Sequence, residues 1–295
     1  MAAHLSHEGK VIGQAPSALY QGLVVHEALR LVHVNGAWDE TKTNVHQASK
    51  IVGRTLYSED RQMTQAVIAN MPELLAEVCE WVEAYCIRFR DYFATVKLLG
   101  CELPVRLTLD VDGQPAKFAS HIDLLFRDEG GFLHLWDWKS VSEAPTRAYL
   151  RRNKQLGIYF LMPKVGQILL GGEFTGYRPD ASEGMVSLWQ GGEWVQFDEE
   201  PIIEWIQLRN LKPFKRATTA ADEDGTKTEY KKGDTRPLNA IVRDVLIQKT
   251  DAIVEELKVM VRMDRAGLYP TNPDPVACHL CESAQWCPHF EEDQQ

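Results

Sequence analysis

The sequence has no long apolar run. Nothing in its 295 residues approaches the ~20 consecutive apolar positions a bilayer-crossing helix needs, which excludes a membrane partner of that kind. The start, Met1 to Lys10, has no apolar stretch behind a positive end, so a secretory leader is not expected and the chain reads as cytoplasmic. Positive charge is also scarce: 32 Lys and Arg stand against 42 Asp and Glu, a net charge of −10. A protein that coats nucleic acid nonspecifically carries the opposite balance, because phosphate neutralisation supplies most of that affinity. A protein that grips a phosphodiester through metal ions needs only a local basic patch. Internal repeats and long low-complexity tracts are missing, which excludes repeat architectures. Cysteine is sparse, six in all, and a disulfide framework does not suit a cytoplasmic chain of this length. Three of the six, Cys278, Cys281 and Cys287, nonetheless crowd together near the C-terminus, a pattern of metal chemistry.

What is there is ordinary globular material, 44% hydrophobic and 25% charged, enough for one large domain or two small ones. The spacing of Leu19, Leu23, His26, Leu29 and Leu31 predicts a helix over 17–34. A longer helical stretch over 58–97, broken near Pro72, carries the stripe Leu75, Val78, Val82, Tyr85 and Phe89. The character then changes to strands. Residues 102–110 alternate, with Leu103, Val105, Leu107 and Leu109 on one side, and Asp112-Gly113 signals a hairpin turn. The next strand spans 117–127, with Phe118, Ile122, Leu124 and Phe126 assigned to one face, and a third spans 132–141 beyond the turn at 128–131. A helix over 146–162, stopping before Pro163, is followed by strands at 167–174 and 184–198. The remaining expectations are a helix over 199–211 with Pro201 in its first turn, a mobile loop over 212–237, and a long helix over 238–267.

The third strand reads Leu133-His134-Leu135-Trp136-Asp137-Trp138-Lys139. Strand side chains two apart share a face, so Asp137 and Lys139 point one way while Trp136 and Trp138 pack as core on the other. Asp123 sits within the apolar run Ile122 to Phe126 of the preceding strand. If the two strands pair around Gly130-Gly131, Asp123 and Asp137 come together. Neighbouring carboxylates repel, and a hard divalent cation such as Mg²⁺ or Mn²⁺ is the remedy. The ordinary reading of Asp-x-Lys alone is an ion pair at a strand end. Gln155 and Tyr159, four apart on the following helix, share one face and add to the constellation.

Asp123, then Asp137-Trp138-Lys139, then Gln155-x-x-x-Tyr159 resembles the motif series of the RecB-like branch of the PD-(D/E)XK nucleases, a branch with CRISPR-associated and phage exonucleases. The resemblance spans residues 20–160 by motifs and the C-terminus by its cysteines. It implies that Glu102 and an upstream histidine complete the site. His26, in Gly22-Leu-Val-Val-His26, fits the family's Gly-x-x-x-His helix, and His46 is the other candidate. It further implies that His26, Asp123 and Asp137 hold Mg²⁺ or Mn²⁺, with Glu102 as an extra ligand, and that Lys139 orients the attacking water. Gln155 and Tyr159 would position the backbone of the DNA. Arg147, Arg151, Arg152 and Lys154 make a local basic patch beside them, although any single one is more often a solvated helix residue.

Thiolates spaced as Cys278-x-x-Cys281-x₅-Cys287 converge on a metal or an iron–sulfur cluster. The resemblance implies a [4Fe–4S] cluster that staples the C-terminus to the core. This chain departs from the family in having no cysteine before His26. Cys79, Cys86 and Cys101 remain as a fourth ligand, and His279 or His289 would make a Cys₃His zinc site instead.

The expected fold is α/β, a mixed central sheet flanked by helices. Residues 1–100 form the helical part with the histidine motif, 101–200 the nuclease core, and 201–295 the C-terminal helices and cysteines. The expected function is metal-dependent DNA cleavage, by an exonuclease of recombination, repair or phage DNA processing, with a recombination or helicase partner. The alternatives are a catalytically silent nucleic-acid-binding relative and a zinc-stapled interaction protein.

Overall fold

A computed structural model describes residues 17–57, 70–140, 154–180, 184–212, 217–221, 227–234, 239–241 and 250–266. Three helices lead: α1 (Ser17–Asn35), α2 (Thr41–Tyr57) and α3 (Met71–Phe93). Pro72 sits in the first turn of α3, where its missing N–H has no helical partner to lose, and the earlier part of the expected helical stretch, 58–69, lies outside the described residues. Strands β1 (Lys97–Val111), β2 (Gln114–Arg127) and β3 (Leu133–Lys139) form an antiparallel meander. Its first turn is Asp112-Gly113, with φ of 57° and 78°, the left-handed pair that a tight hairpin requires.

Helix α4 (Lys154–Val165) follows, then β4 (Gln167–Leu170), β5 (Glu173–Asp180), β6 (Gly184–Gln190), β7 (Glu193–Val195) and β8 (Ile202–Gln207). Beyond a 3-10 turn at Leu208–Leu211 come β9 (Thr218–Ala221), β10 (Lys227–Tyr230), β11 (Asn239–Ile241) and helix α5 (Thr250–Arg265). Seven strands make the central sheet, in the order β11-β8-β3-β2-β1-β4-β7, with β3 and β8 parallel and the other pairs antiparallel. Helices α1–α3 pack their apolar stripes on one face, against Trp136, Trp138 and Phe126. Helices α4 and α5 cover the other face, against Leu103, Leu133 and Trp205. The mixed, helix-flanked α/β sheet is the expected fold class.

Several elements differ from the sequence reading, each for a local reason. The segment 199–211 is not a helix: Ile202, Ile203, Trp205 and Ile206 form strand β8, which buries both faces beside β3, as a parallel strand must. Helix α4 runs through Pro163 to Val165 instead of stopping before it. The expected strands 167–174 and 184–198 each break in two. Gly171, Gly191 and Gly192 have φ of 68°, 70° and 85°, and these turns send β4 and β7 into the main sheet while β5 and β6 pair apart. The segment 212–237 contains the β9–β10 hairpin, and 238–267 contains strand β11 before its shorter helix.

The strand-face assignment also changes. Phe118 and Ile122 pack in the core under α4 and α5, whereas Leu124 and Phe126 pack under α1–α3. Cys101 and Leu103 of β1 divide in the same way. The switch falls where the ladder passes from Cys101↔Leu124 to Leu103↔Ile122, and between them Glu102 has a φ of 52°. Both strands therefore turn over at Glu102 and Asp123.

Candidate active site

The turnover brings polar side chains into a sheet whose buried residues are mostly apolar. Glu102 of β1, Asp123 of β2 and Asp137 of β3 are all buried, and Asp137 is completely so. His26 of α1 closes the group from the helical side. Its Nδ1 lies 3.0 Å from Glu102 Oε1 and 3.6 Å from Asp123 Oδ1. Its Nε2 lies 3.1 Å from the Trp138 carbonyl, which can only accept, so the Nε2 proton is fixed and Nδ1 faces the carboxylates. Ligand atoms of His26, Glu102 and Asp123 lie within 4.8 Å of one another, the compactness a metal ion requires.

The same strand that supplies Asp137 also pins its neighbours through its backbone. The Trp138 N–H donates to Asp123 Oδ2 at 2.6 Å. Lys139 Nζ donates to Asp137 Oδ1 at 2.8 Å and sits 5.4 Å from the centre of the Trp205 ring. Asp137 Oδ2 is buried with no hydrogen-bond partner among the described residues. A buried carboxylate oxygen with no donor is costly, and a cation is the group that would satisfy it.

The electrostatics follow from this crowding. Burial raises the carboxyls of Asp123 and Asp137 above the usual carboxylate range, against the pull of His26 and Lys139. Burial alone would lower the His26 imidazole, but the Asp123 and Glu102 carboxylates outweigh it and push the ring up to about 9. The compact donor set is two carboxylates, Glu102 and Asp123, and one imidazole, with the Asp137 carboxylate buried beside it, and such oxygen-rich donors suit Mg²⁺ or Mn²⁺.

The structure brings together His26, Glu102, Asp123, Asp137 and Lys139. His46 stands apart, exposed on α2. Gln155 lies in the first turn of α4, and Tyr159 is buried in the core beneath that helix, so its ring packs rather than facing solvent. Arg147, Arg151 and Arg152 lie outside the described residues, as do Cys278, Cys281 and Cys287. Of the other cysteines, Cys86 on α3 and Cys101 on β1 are buried, and Cys79 is half-buried. No described helix is long and apolar enough to cross a membrane.

Sequence reasoning missed the backbone of Trp138 as a clamp on His26 and Asp123, and it missed Trp205 altogether. The run Ile202-Ile203-Glu204-Trp205-Ile206, rich in β-branched and aromatic residues, was the available signal for a strand beside β3.

Among solved structures the chain is similar to the crystal structure of SSO0001, at 11% identity and a TM-score of 0.33, over 97% of this chain and 89% of that one. No curated protein matches it. The family model of the PD-(D/E)XK nuclease superfamily matches residues 2–288, and with nearly its whole length matched the chain belongs to that superfamily.

Proposed function

We propose that this protein is a metal-dependent deoxyribonuclease, an exonuclease of recombination, repair or phage DNA processing, with its chemistry at Asp123, Asp137 and Lys139. The superfamily's members are typically nucleases that use Mg²⁺ or Mn²⁺. The observation that carries the reading is the buried Asp137 Oδ2, which has no hydrogen-bond partner among the described residues, beside the His26, Glu102 and Asp123 cluster. His26 Nδ1, Asp123 and Asp137 would hold the cation, with Glu102 as a further ligand. Bound there, a divalent ion supplies a Lewis acid that acidifies water and offsets phosphate charge.

The protein's own groups do the rest. The Trp138 carbonyl keeps the His26 proton on Nε2, leaving Nδ1 for coordination. The Trp138 N–H holds Asp123 in place through the other carboxylate oxygen. Lys139 orients the attacking water and stabilises the extra negative charge on the phosphate in the transition state. Gln155, Arg151 and Arg152 contact the DNA backbone near the start of α4. The helical part and the sheet work as one unit, because His26 comes from α1 and the carboxylates from β1–β3.

Cys278, Cys281 and Cys287 carry a structural [4Fe–4S] cluster in this reading, with zinc as the alternative. Iron and zinc content of the purified protein, against a Cys281→Ser variant, distinguishes the two. A recombination factor or helicase is the partner class that fits a DNA exonuclease.

The test of the function is cleavage of end-labelled single- and double-stranded DNA with Mn²⁺, Mg²⁺ or EDTA. The wild type should cleave with either metal and not in EDTA, and Lys139→Ala should lose cleavage. A folded, metal-replete protein that binds these substrates without cutting them would instead be a silent nucleic-acid-binding relative.

A further inference from the structure

Lys139 reaches its place on a long flexible stem, so something must fix the ammonium if it is to act at one spot. One anchor is Asp137 Oδ1 at 2.8 Å. That anchor would be shared, because the other oxygen of the same carboxylate has no partner among the described residues and could take a cation. A cation bound at Asp137 would weaken the carboxylate's attraction for Lys139. A second anchor that does not depend on Asp137 is present. In the parallel pairing of β3 with β8, Asp137 lies opposite Trp205 and Lys139 opposite Gln207. Trp205 is buried in the core under α4 and α5, and Lys139 Nζ sits 5.4 Å from its ring centre. The attraction of an ammonium to an indole face comes from the ring's own quadrupole, so metal occupancy leaves it intact.

The geometry points to Trp205 as the positioning residue that holds the Lys139 ammonium in place, a role that rests on Lys139 being the catalytic lysine of the reading above. Trp205 does not touch the reacting atoms. Its contribution is to limit where the ammonium goes once a cation shares Asp137.

The test uses the full-length protein with Mn²⁺ and single-turnover cleavage of an end-labelled oligonucleotide. Tryptophans carrying progressively more ring fluorines, placed at position 205 by nonsense suppression, drain the indole face while keeping its shape. The cleavage rate should fall stepwise across the series, by about tenfold in total. Oligonucleotide affinity, Mn²⁺ affinity and melting temperature should stay level. Trp205→Phe should fall within the series and Trp205→Leu below it, again at constant affinity. A flat rate across the fluorinated series, beside an inactive Lys139→Ala, overturns the inference alone. A Lys139→Ala protein that cleaves at the wild-type rate overturns the catalytic reading, and the inference with it.

Discussion

Lys139 Nζ and the Asp137 carboxylate form a one-sided pair: Oδ1 accepts from the ammonium at 2.8 Å, while Oδ2 is buried with no partner among the described residues. Together with Asp123 and Glu102, this makes the centre a concentration of buried carboxyl groups. A site held in this state is stabilised by whatever ion satisfies it, since binding only the folded form adds RT ln(1 + [L]/Kd) to stability.

The first prediction follows from that linkage. Mn²⁺ at about a hundred times its Kd should stabilise the wild type by about 2.7 kcal/mol, seen as a rise in melting temperature over EDTA. Asp137→Asn should abolish the rise and the DNA cleavage, while its own melting temperature in EDTA stays at or above that of the wild type. An Asp137→Asn protein that gains as much stability from Mn²⁺ as the wild type would remove Asp137 from the ligand set.

The core of this site was legible in the sequence because strand periodicity alone puts Asp137 and Lys139 on one face, and the glycine turn at 130–131 folds Asp123 back toward them. The ladder joins Leu124 to Trp136, one step from both aspartates. His26 was legible only through a motif, since nothing in a helical pattern says which sheet a helix will cover. The turnover at Glu102 was not legible: alternation cannot reveal a left-handed residue in mid-strand. Nor was β8, because an apolar run behind a proline suits a helix start as well as a buried strand, and only its pairing with β3 decides.

That turnover carries a second prediction. Glu102 holds a φ of 52°, a conformation that costs a non-glycine residue about 1 kcal/mol or more and that asparagine tolerates better. Glu102→Asn should therefore raise the stability of the metal-free protein by about 1 kcal/mol, through reduced backbone strain and one fewer buried carboxylate. The same change removes the acceptor 3.0 Å from His26 Nδ1, so cleavage should fall at least tenfold. Urea unfolding in EDTA, paired with cleavage rates in Mn²⁺, reads both. A variant that loses stability and activity together would mean that Glu102 is held by contacts rather than strained.

Two histidines away from the proposed metal ligands should shape the pH dependence of stability with opposite signs. His33 donates or accepts at Tyr85 Oη and stacks on Trp138, and burial there pushes its imidazole down to about 3. The unfolded chain protonates it near pH 6.5, so the fold should lose stability as pH drops below that value, approaching about 1.4 kcal/mol per pH unit. His134 lies between Asp128 and Glu204, at 3.1 and 3.4 Å. Burial opposes its charge, but the bonds to the two carboxylates outweigh burial and raise its pKa. Its stabilisation is full below about pH 6.5 and fades as pH rises through the raised folded value. In urea midpoints taken across this range, His33→Gln should flatten the acid limb and His134→Gln the neutral-to-alkaline limb. Identical pH profiles for wild type and both variants would refute these assignments.

Helix α4, which carries Gln155, comes closest to α5 at a residue without a side chain. Gly157 faces α5 so closely that an added Cβ would lie 2.0 Å from Ile253 Cδ1. Alanine in mid-helix normally gains about 1 kcal/mol over glycine. Here that gain is set against an overlap of the kind that costs about 1–3 kcal/mol in a packed core. Gly157→Ala alone should therefore destabilise the protein by about 1 kcal/mol and weaken DNA binding by shifting α4. Ile253→Val removes the Cδ1 atom that the new methyl would strike. In that background the alanine should become stabilising, so the two changes should couple by at least about 1 kcal/mol in a double-mutant cycle. Simple additivity would show that α4 and α5 can slide apart at no cost, and the close approach would then have no part in placing Gln155.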